Sequence, residues 1–312
     1  MDFAFLFPGQ GSQSVGMVKD FAESYTLVKE CFQEASDAIE IDLWKLVQNG
    51  PVEELNQTSI TQPSMLAASY SIWKILSTSI DQEAIASAGH SFGEISALTC
   101  ASALPFKSAV ILAHQRGEIM QAAVPSGTGG MAAILGLDDS SLDGLCGTIS
   151  REGNIVEAVN YNAPGQVVVA GHTSAVDDLI DAAKEQGAKR ALKLPVSVPA
   201  HSSLMRPAAE KFAQVLEELS LELPNIPVIQ NATLKKSEKV DELQNALIAQ
   251  LYSPVRWVET IGILKDEGAQ CFFEIGPGKV LTGLQKRIDK SLQSICICDN
   301  QSLEAAIKVI EE

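Results

Sequence analysis

A chain of 312 residues, 46% of them hydrophobic, is globular and can bury a core sufficient for one large domain or two smaller ones. Its 23 basic against 39 acidic residues give a formal charge of −16, which repels phosphate backbones and anionic headgroups and argues against nucleic acid and membrane partners. Its six cysteines form neither a disulfide framework nor a zinc spacing, no apolar run is long enough for a bilayer, and the expected location is the reducing cytoplasm.

The first apolar run, "FAFLF" (3–7), reads as a buried strand that ends at Pro8-Gly9. The stretch "FLFPGQGSQ" (5–13) therefore puts Gly9-Gln10-Gly11 at a strand's carboxyl end, where open α/β sheets place their sites. It has neither G-x-G-x-x-G nor a Walker lysine, so it does not read as a phosphate cradle. "AIASAG" (84–89) is the next strand, and "EISALTCASAL" (94–104) reads as a helix of small residues. Between them, Gly89, Ser91 and Gly93 fit G-x-S-x-G, the sharp strand-to-helix turn that raises a serine hydroxyl above a sheet. The motif alone leaves Ser91 as either a nucleophile or a turn serine.

Residues 105–124 follow as an amphipathic helix in which Arg116 lies on the apolar stripe with Ala109, Leu112, Ala113, Ile119, Met120 and Ala123. A guanidinium does not deprotonate, so a buried one needs an anionic or acceptor partner: a structural ion pair, or a substrate carboxylate gripped bidentately. Residues 128–194 then break the rhythm with the order βαββαβ, entered through "PSGTGG" (125–130) and left through "LPVSVP" (194–199). The strands are "GMAAILGL", "NIVEAVNYN", "GQVVVAG" and "AKRALKLPV". Two late runs, "CFFEIG" (271–276) and "SICIC" (294–298), read as buried strands, the last pointing Cys296 and Cys298 the same way.

The expected fold is α/β: a hydrolase-like large domain (1–127 and 196–312) with a mainly parallel sheet, and an inserted ferredoxin-like small subdomain (128–195). A serine nucleophile needs a base. Of the four histidines, His90 belongs to the elbow and faces away from Ser91 in an extended backbone, His172 sits in a turn of the insert, and His114 falls on a helix's polar side. His201, in "VSVPAHSSLM", follows the return strand and is the best base, although a structural helix-start histidine also fits. No carboxylate is obviously placed to orient its ring.

These motifs, with "TQPSMLAASY" (61–70), "QRGEIMQ" (115–121), "NYNAPGQVVVAG" (160–171), "QLYSPVRW" (250–257) and "FEIGPGKVL" (273–281), make the chain resemble, along essentially its whole length, the malonyl-CoA:acyl carrier protein transacylases of type II fatty acid synthesis. The resemblance implies an acyltransferase that moves malonyl from malonyl-CoA to the phosphopantetheine thiol of acyl carrier protein by a ping-pong route, as a monomer, with no metal or redox cofactor. It implies Ser91 as nucleophile, His201 as base and acid, the N–H groups of Gln10 and Phe92 as oxyanion hole, and the Gln250 main-chain carbonyl as the group that orients His201. Arg116 would bind the malonyl carboxylate, with Gln62, Asn160 and Asn162 lining the site region. Two positions depart from pattern: Phe92 stands where the elbow more often carries Leu, and Ala200 precedes the histidine where malonyl-selective polyketide acyltransferases often place Phe. A serine hydrolase shares the elbow, but ordinarily supplies a carboxylate to the histidine and needs no buried arginine. For the carrier's docking surface, Lys189, Arg190 and Lys193, or Lys286, Arg287 and Lys290, are the candidate basic clusters.

Overall fold

Apolar runs without alternation demand helices on both sides of a sheet, and this is how the chain folds. A computed structural model describes residues 2–125 and 127–312; Ser126, in the entry turn to the insert, lies outside the described residues. In chain order the strands are β1 (Phe3–Phe7), β2 (Ala86–Gly89), β3 (Gly129–Leu135), β4 (Val156–Ala163), β5 (Gln166–His172), β6 (Arg190–Lys193), β7 (Val228–Ile229), β8 (Cys271–Ile275) and β9 (Gln293–Ile297). Five form one sheet in the order β7-β2-β1-β8-β9, every neighbouring pair parallel. Every residue of β1, β2 and β8 is buried.

The register explains where the site lies. Phe7 pairs with Gly89, so the two glycine-rich loops leave the carboxyl ends of adjacent central strands. Beneath them Phe5 packs edge-on against Trp73 at 5.1 Å between centroids, and Phe3 against Phe273 at 5.5 Å.

The other four strands form an antiparallel sheet in the order β4-β5-β3-β6, the split βαββαβ arrangement expected of the insert. Its own core gathers Ile134, Leu142, Val169 and Leu179. The insert is sewn to the large domain by backbone: Tyr161 N–H donates to Val255 O at 2.9 Å, and Val255 N–H to Val159 O at 2.8 Å. Arg287 adds a side-chain bond to Gln166.

Three expectations are corrected. The strand at "SICIC" is an edge strand, half-buried because only β8 flanks it. The last strand of the insert spans only Arg190–Lys193 and is largely exposed, since it lies at the sheet's edge and its flanking residues run on as loop. His114 is not simply on a polar face: its Nδ1 meets Ser59 O at 2.8 Å, against the neighbouring helix Thr58–Ser77. Two-residue β7 has no counterpart in the sequence reading. Among the described residues no helix is long and apolar enough to cross a membrane.

Candidate active site

The elbow is forced by close approach. A Cβ on Gly89 would lie 1.8 Å from the carbonyl carbon of Gly93, so the strand can turn into the helix Gly93–Cys100 only without one. Ser91 sits at the apex with φ 53°, a left-handed conformation that costs a non-glycine residue roughly 1–3 kcal/mol. Both of its backbone groups are pinned there. Its N–H donates to Asn231 Oδ1 at 2.8 Å, and its carbonyl accepts from Glu94 N–H at 3.0 Å and from Gln250 Nε2 at 3.1 Å.

His201 also has a left-handed backbone, φ 66°, with its N–H on Leu251 O at 3.0 Å. Its Nε2 lies 2.6 Å from Ser91 Oγ and its Nδ1 2.8 Å from the main-chain carbonyl of Gln250. A carbonyl only accepts, so Nδ1 carries the proton and the Nε2 lone pair faces the serine hydroxyl. Burial, and then the nearby Arg116 charge, hold the imidazole pKa down to about 3. The ring is therefore a neutral acceptor of the serine proton at physiological pH.

Arg116 projects from the helix Phe106–Gln121 and is 1% exposed. Its Nη2 donates to the side-chain oxygen of Gln250 at 2.8 Å, while Nε has no partner among the described residues. Burial lowers its pKa to about 10 against the pull of Glu94, so it stays cationic. Gln250 thus serves twice: its main chain orients His201, and its side chain lies between Arg116, Ser91 O and the Glu94 carboxylate at 2.9 Å.

The first glycine loop meets the elbow directly. A Cβ on Gly9 would stand 2.4 Å from His90 O, so the loop lies against the backbone next to Ser91. Among the described residues neither the Gln10 nor the Phe92 N–H has a backbone acceptor, which leaves both free for an oxyanion. Phe92 itself is 1% exposed and packs in the core. The Gln10 side chain reaches Thr58 Oγ1 at 3.5 Å.

The remaining candidates separate. Gln62 is buried beside Met120, one turn on from Arg116, with Nε2 3.7 Å from its sulfur and Oε1 without a partner among the described residues. Asn162 Oδ1 accepts from His90 Nε2 at 2.7 Å and so occupies that ring nitrogen. Asn160 joins through its main chain, pairing with Val255 at a bulge in β4. Two residues that sequence reasoning gave no role complete the site. Asn231 bridges the elbow, donating from Nδ2 to Gly89 O at 2.8 Å as well as accepting from Ser91. Glu94, fully buried, accepts from Asn231 N–H at 2.8 Å. Among the described residues no cluster of His, Cys, Asp or Glu could hold a metal ion.

Known proteins resemble this chain in sequence and in fold along nearly its whole length. Residues 4–303 match the acyl transferase domain family. A malonyl CoA-acyl carrier protein transacylase of Salmonella typhimurium is 48% identical over 305 residues, covering 98% of both chains. The solved transacylase of Coxiella burnetii superposes with a TM-score of 0.98 at 42% identity, covering 100% of this chain and 98% of that one. A malonyl-transacylase solved in complex with its type II polyketide acyl-carrier protein gives 0.97 at 48% identity, covering 99% and 100%. With its elbow, its serine–histidine pair and its full-length match, the chain belongs to the acyl transferase domain family.

Proposed function

We propose that the protein transfers a malonyl group from malonyl-CoA to the phosphopantetheine thiol of acyl carrier protein, through a malonyl ester on Ser91, supplying extender units for fatty acid synthesis. The observation that carries this reading is the 2.6 Å contact between Ser91 Oγ and His201 Nε2, made beside a buried arginine whose Nε has no partner among the described residues.

In the first half-reaction Ser91 Oγ attacks the thioester carbonyl as its proton passes to His201 Nε2. The tetrahedral oxyanion is held by the N–H groups of Gln10 and Phe92. Collapse breaks the carbon–sulfur bond, His201 returns the proton to the departing sulfur, and CoA leaves. The second half reverses these steps with the carrier's thiol as attacking group: His201 takes its proton and gives it back to Ser91 Oγ. The imidazolium is stabilised by the Gln250 carbonyl, an uncharged acceptor in the place a hydrolase gives to a carboxylate. The exchange is redox-neutral, and the scheme uses no metal or redox cofactor. Arg116 takes the free malonyl carboxylate through the guanidinium N–H groups that its bond to Gln250 leaves over.

The test is intact-mass measurement after mixing with malonyl-CoA. The protein gains one malonyl group, which is discharged when phosphopantetheinylated carrier is added. Ser91→Ala stays folded and gains none. A malonyl adduct on the folded Ser91→Ala protein, or acyl release to water that carrier does not accelerate, refutes the reading.

A further inference from the structure

Glu94 is a fully buried carboxylate that the proposed chemistry does not use. Its two recorded hydrogen bonds end on the same oxygen: Oε2 accepts from Asn231 N–H at 2.8 Å and from Gln250 Nε2 at 2.9 Å, while Oε1 has no partner among the described residues. An ion kept in a dry core without neutralisation is costly, so its charge needs a reason. The near cation is Arg116, which lies on the other end of the Gln250 amide. The amide links them head to tail, its oxygen accepting from the guanidinium and its nitrogen donating to the carboxylate.

We propose that Glu94 is a specificity-determining residue: a fixed counter-charge that moderates the grip of Arg116 on the acyl carboxylate and so sets the preference for malonyl over neutral acyl groups. The proposal rests on the reading that Arg116 takes the malonyl carboxylate. In the resting site the charges of Arg116 and Glu94 balance across Gln250. An arriving malonyl carboxylate meets both the attraction of the guanidinium and the repulsion of Glu94, whereas an acetyl group meets neither as a charge. Burial pushes the Glu94 carboxyl up to about 7, against its two N–H partners and Arg116, so the carboxylate form prevails at pH 8.

The lone-oxygen geometry supplies a clean variant. In Glu94→Gln the amide oxygen can take the Oε2 position and keep both hydrogen bonds, while the new NH2 occupies the unpartnered Oε1 position. The charge is removed and both hydrogen bonds are kept, with two buried N–H donors added at the Oε1 position. Glu94 and the guanidinium lie on the two ends of one amide, through hydrogen bonds of 2.9 and 2.8 Å, so a carboxylate held by Arg116 is on the order of 10 Å from Glu94. At that range a unit charge in an effective dielectric of about 20 changes the preference roughly tenfold.

The experiment mixes equimolar malonyl-CoA and acetyl-CoA with wild-type or Glu94→Gln enzyme at pH 8 and reads the early ratio of malonyl to acetyl adducts by intact mass. Molecules that do not fold acylate with neither donor, so the ratio reports only the competent fraction. The expected result is a ratio about tenfold higher in Glu94→Gln, with a lower KM for malonyl-CoA. An unchanged or lower ratio overturns the proposal. Glu94→Ala, which also frees the Gln250 amide, is expected to slow both donors; wild-type rates in that variant likewise overturn it. Wild-type enzyme that takes no malonyl from malonyl-CoA, or takes it at a site other than Ser91, fails the functional reading instead.

Discussion

Replacing Arg116 by alanine is the perturbation that separates malonyl transfer from acyl transfer in general. The side chain is 1% exposed, and among the described residues one hydrogen bond, to Gln250, holds its guanidinium. Most of its five N–H donors therefore remain for a carboxylate. Breaking a buried ion pair by removing one partner costs about 3–5 kcal/mol. At about 1.4 kcal/mol per decade, the lower part of that range gives a loss of roughly 10²–10³-fold in kcat/KM for malonyl-CoA. Acetyl-CoA presents no carboxylate and should lose little, or gain. The structure also limits collateral damage: without the guanidinium, Glu94 has lost the charge that lowered its pKa, and it takes up a proton rather than remain an isolated buried anion. The assay is the ratio of kcat/KM for the two donors in wild type and mutant, beside a melting curve that shows the mutant folded. An unchanged ratio would mean that Arg116 is a structural cation and that the carboxylate binds elsewhere.

Because burial and Arg116 depress the His201 pKa to about 3, the free enzyme keeps its base neutral well below the ordinary histidine range. The acid limb of kcat/KM with acetyl-CoA, whose neutral acyl group ignores the charge balance at Arg116, should lie below pH 6; a limb at 6.5 or above contradicts this. The same depression makes the unfolded chain the better proton binder, so His201 contributes a loss of stability that begins as pH falls through about 6.5. Asn231→Ala removes two of the side-chain bonds that hold the elbow and leaves the one from Gln250. It should cost about 1–3 kcal/mol of stability by urea titration and lower acylation for both donors alike, and a mutant with wild-type stability would show that the elbow holds itself.

Much of the fold was legible because its signals are local. "FAFLF" and "CFFEIG" are continuous apolar runs ended by glycine or proline, and the insert announces itself by a change of rhythm between two turn-rich joins. Ser91 and His201 were legible from a five-residue motif and from weighing four histidines. What was missed acts over long separations. Asn231 reaches Ser91 across 140 positions, and nothing around either residue marks the pairing. Glu94 has the appearance of an ordinary acid in a helix's first turn, yet it is fully buried because sheet and neighbouring helices cover all sides of that short helix. The role of Gln250 came from family resemblance, and its side chain's second task became visible only in the packed structure. The edge position of β9 was hidden because strand order is not written in hydropathy.

The backbone seam between Val159, Tyr161 and Val255 gives the insert a task at the site beyond the contacts that its side chains make there. The carbonyl that steadies His201 belongs to Gln250, the last residue of a helix, and five positions further on the chain is stitched to β4. The segment that holds the base is thus strung between two anchors, one in each domain. Cutting out the insert would leave it tied at one end, like a bowstring with one nock removed, and the 2.8 Å bond to the imidazole would rest on contacts within the large domain alone. A trimmed enzyme that retained every reacting group would hold its base from one domain instead of two.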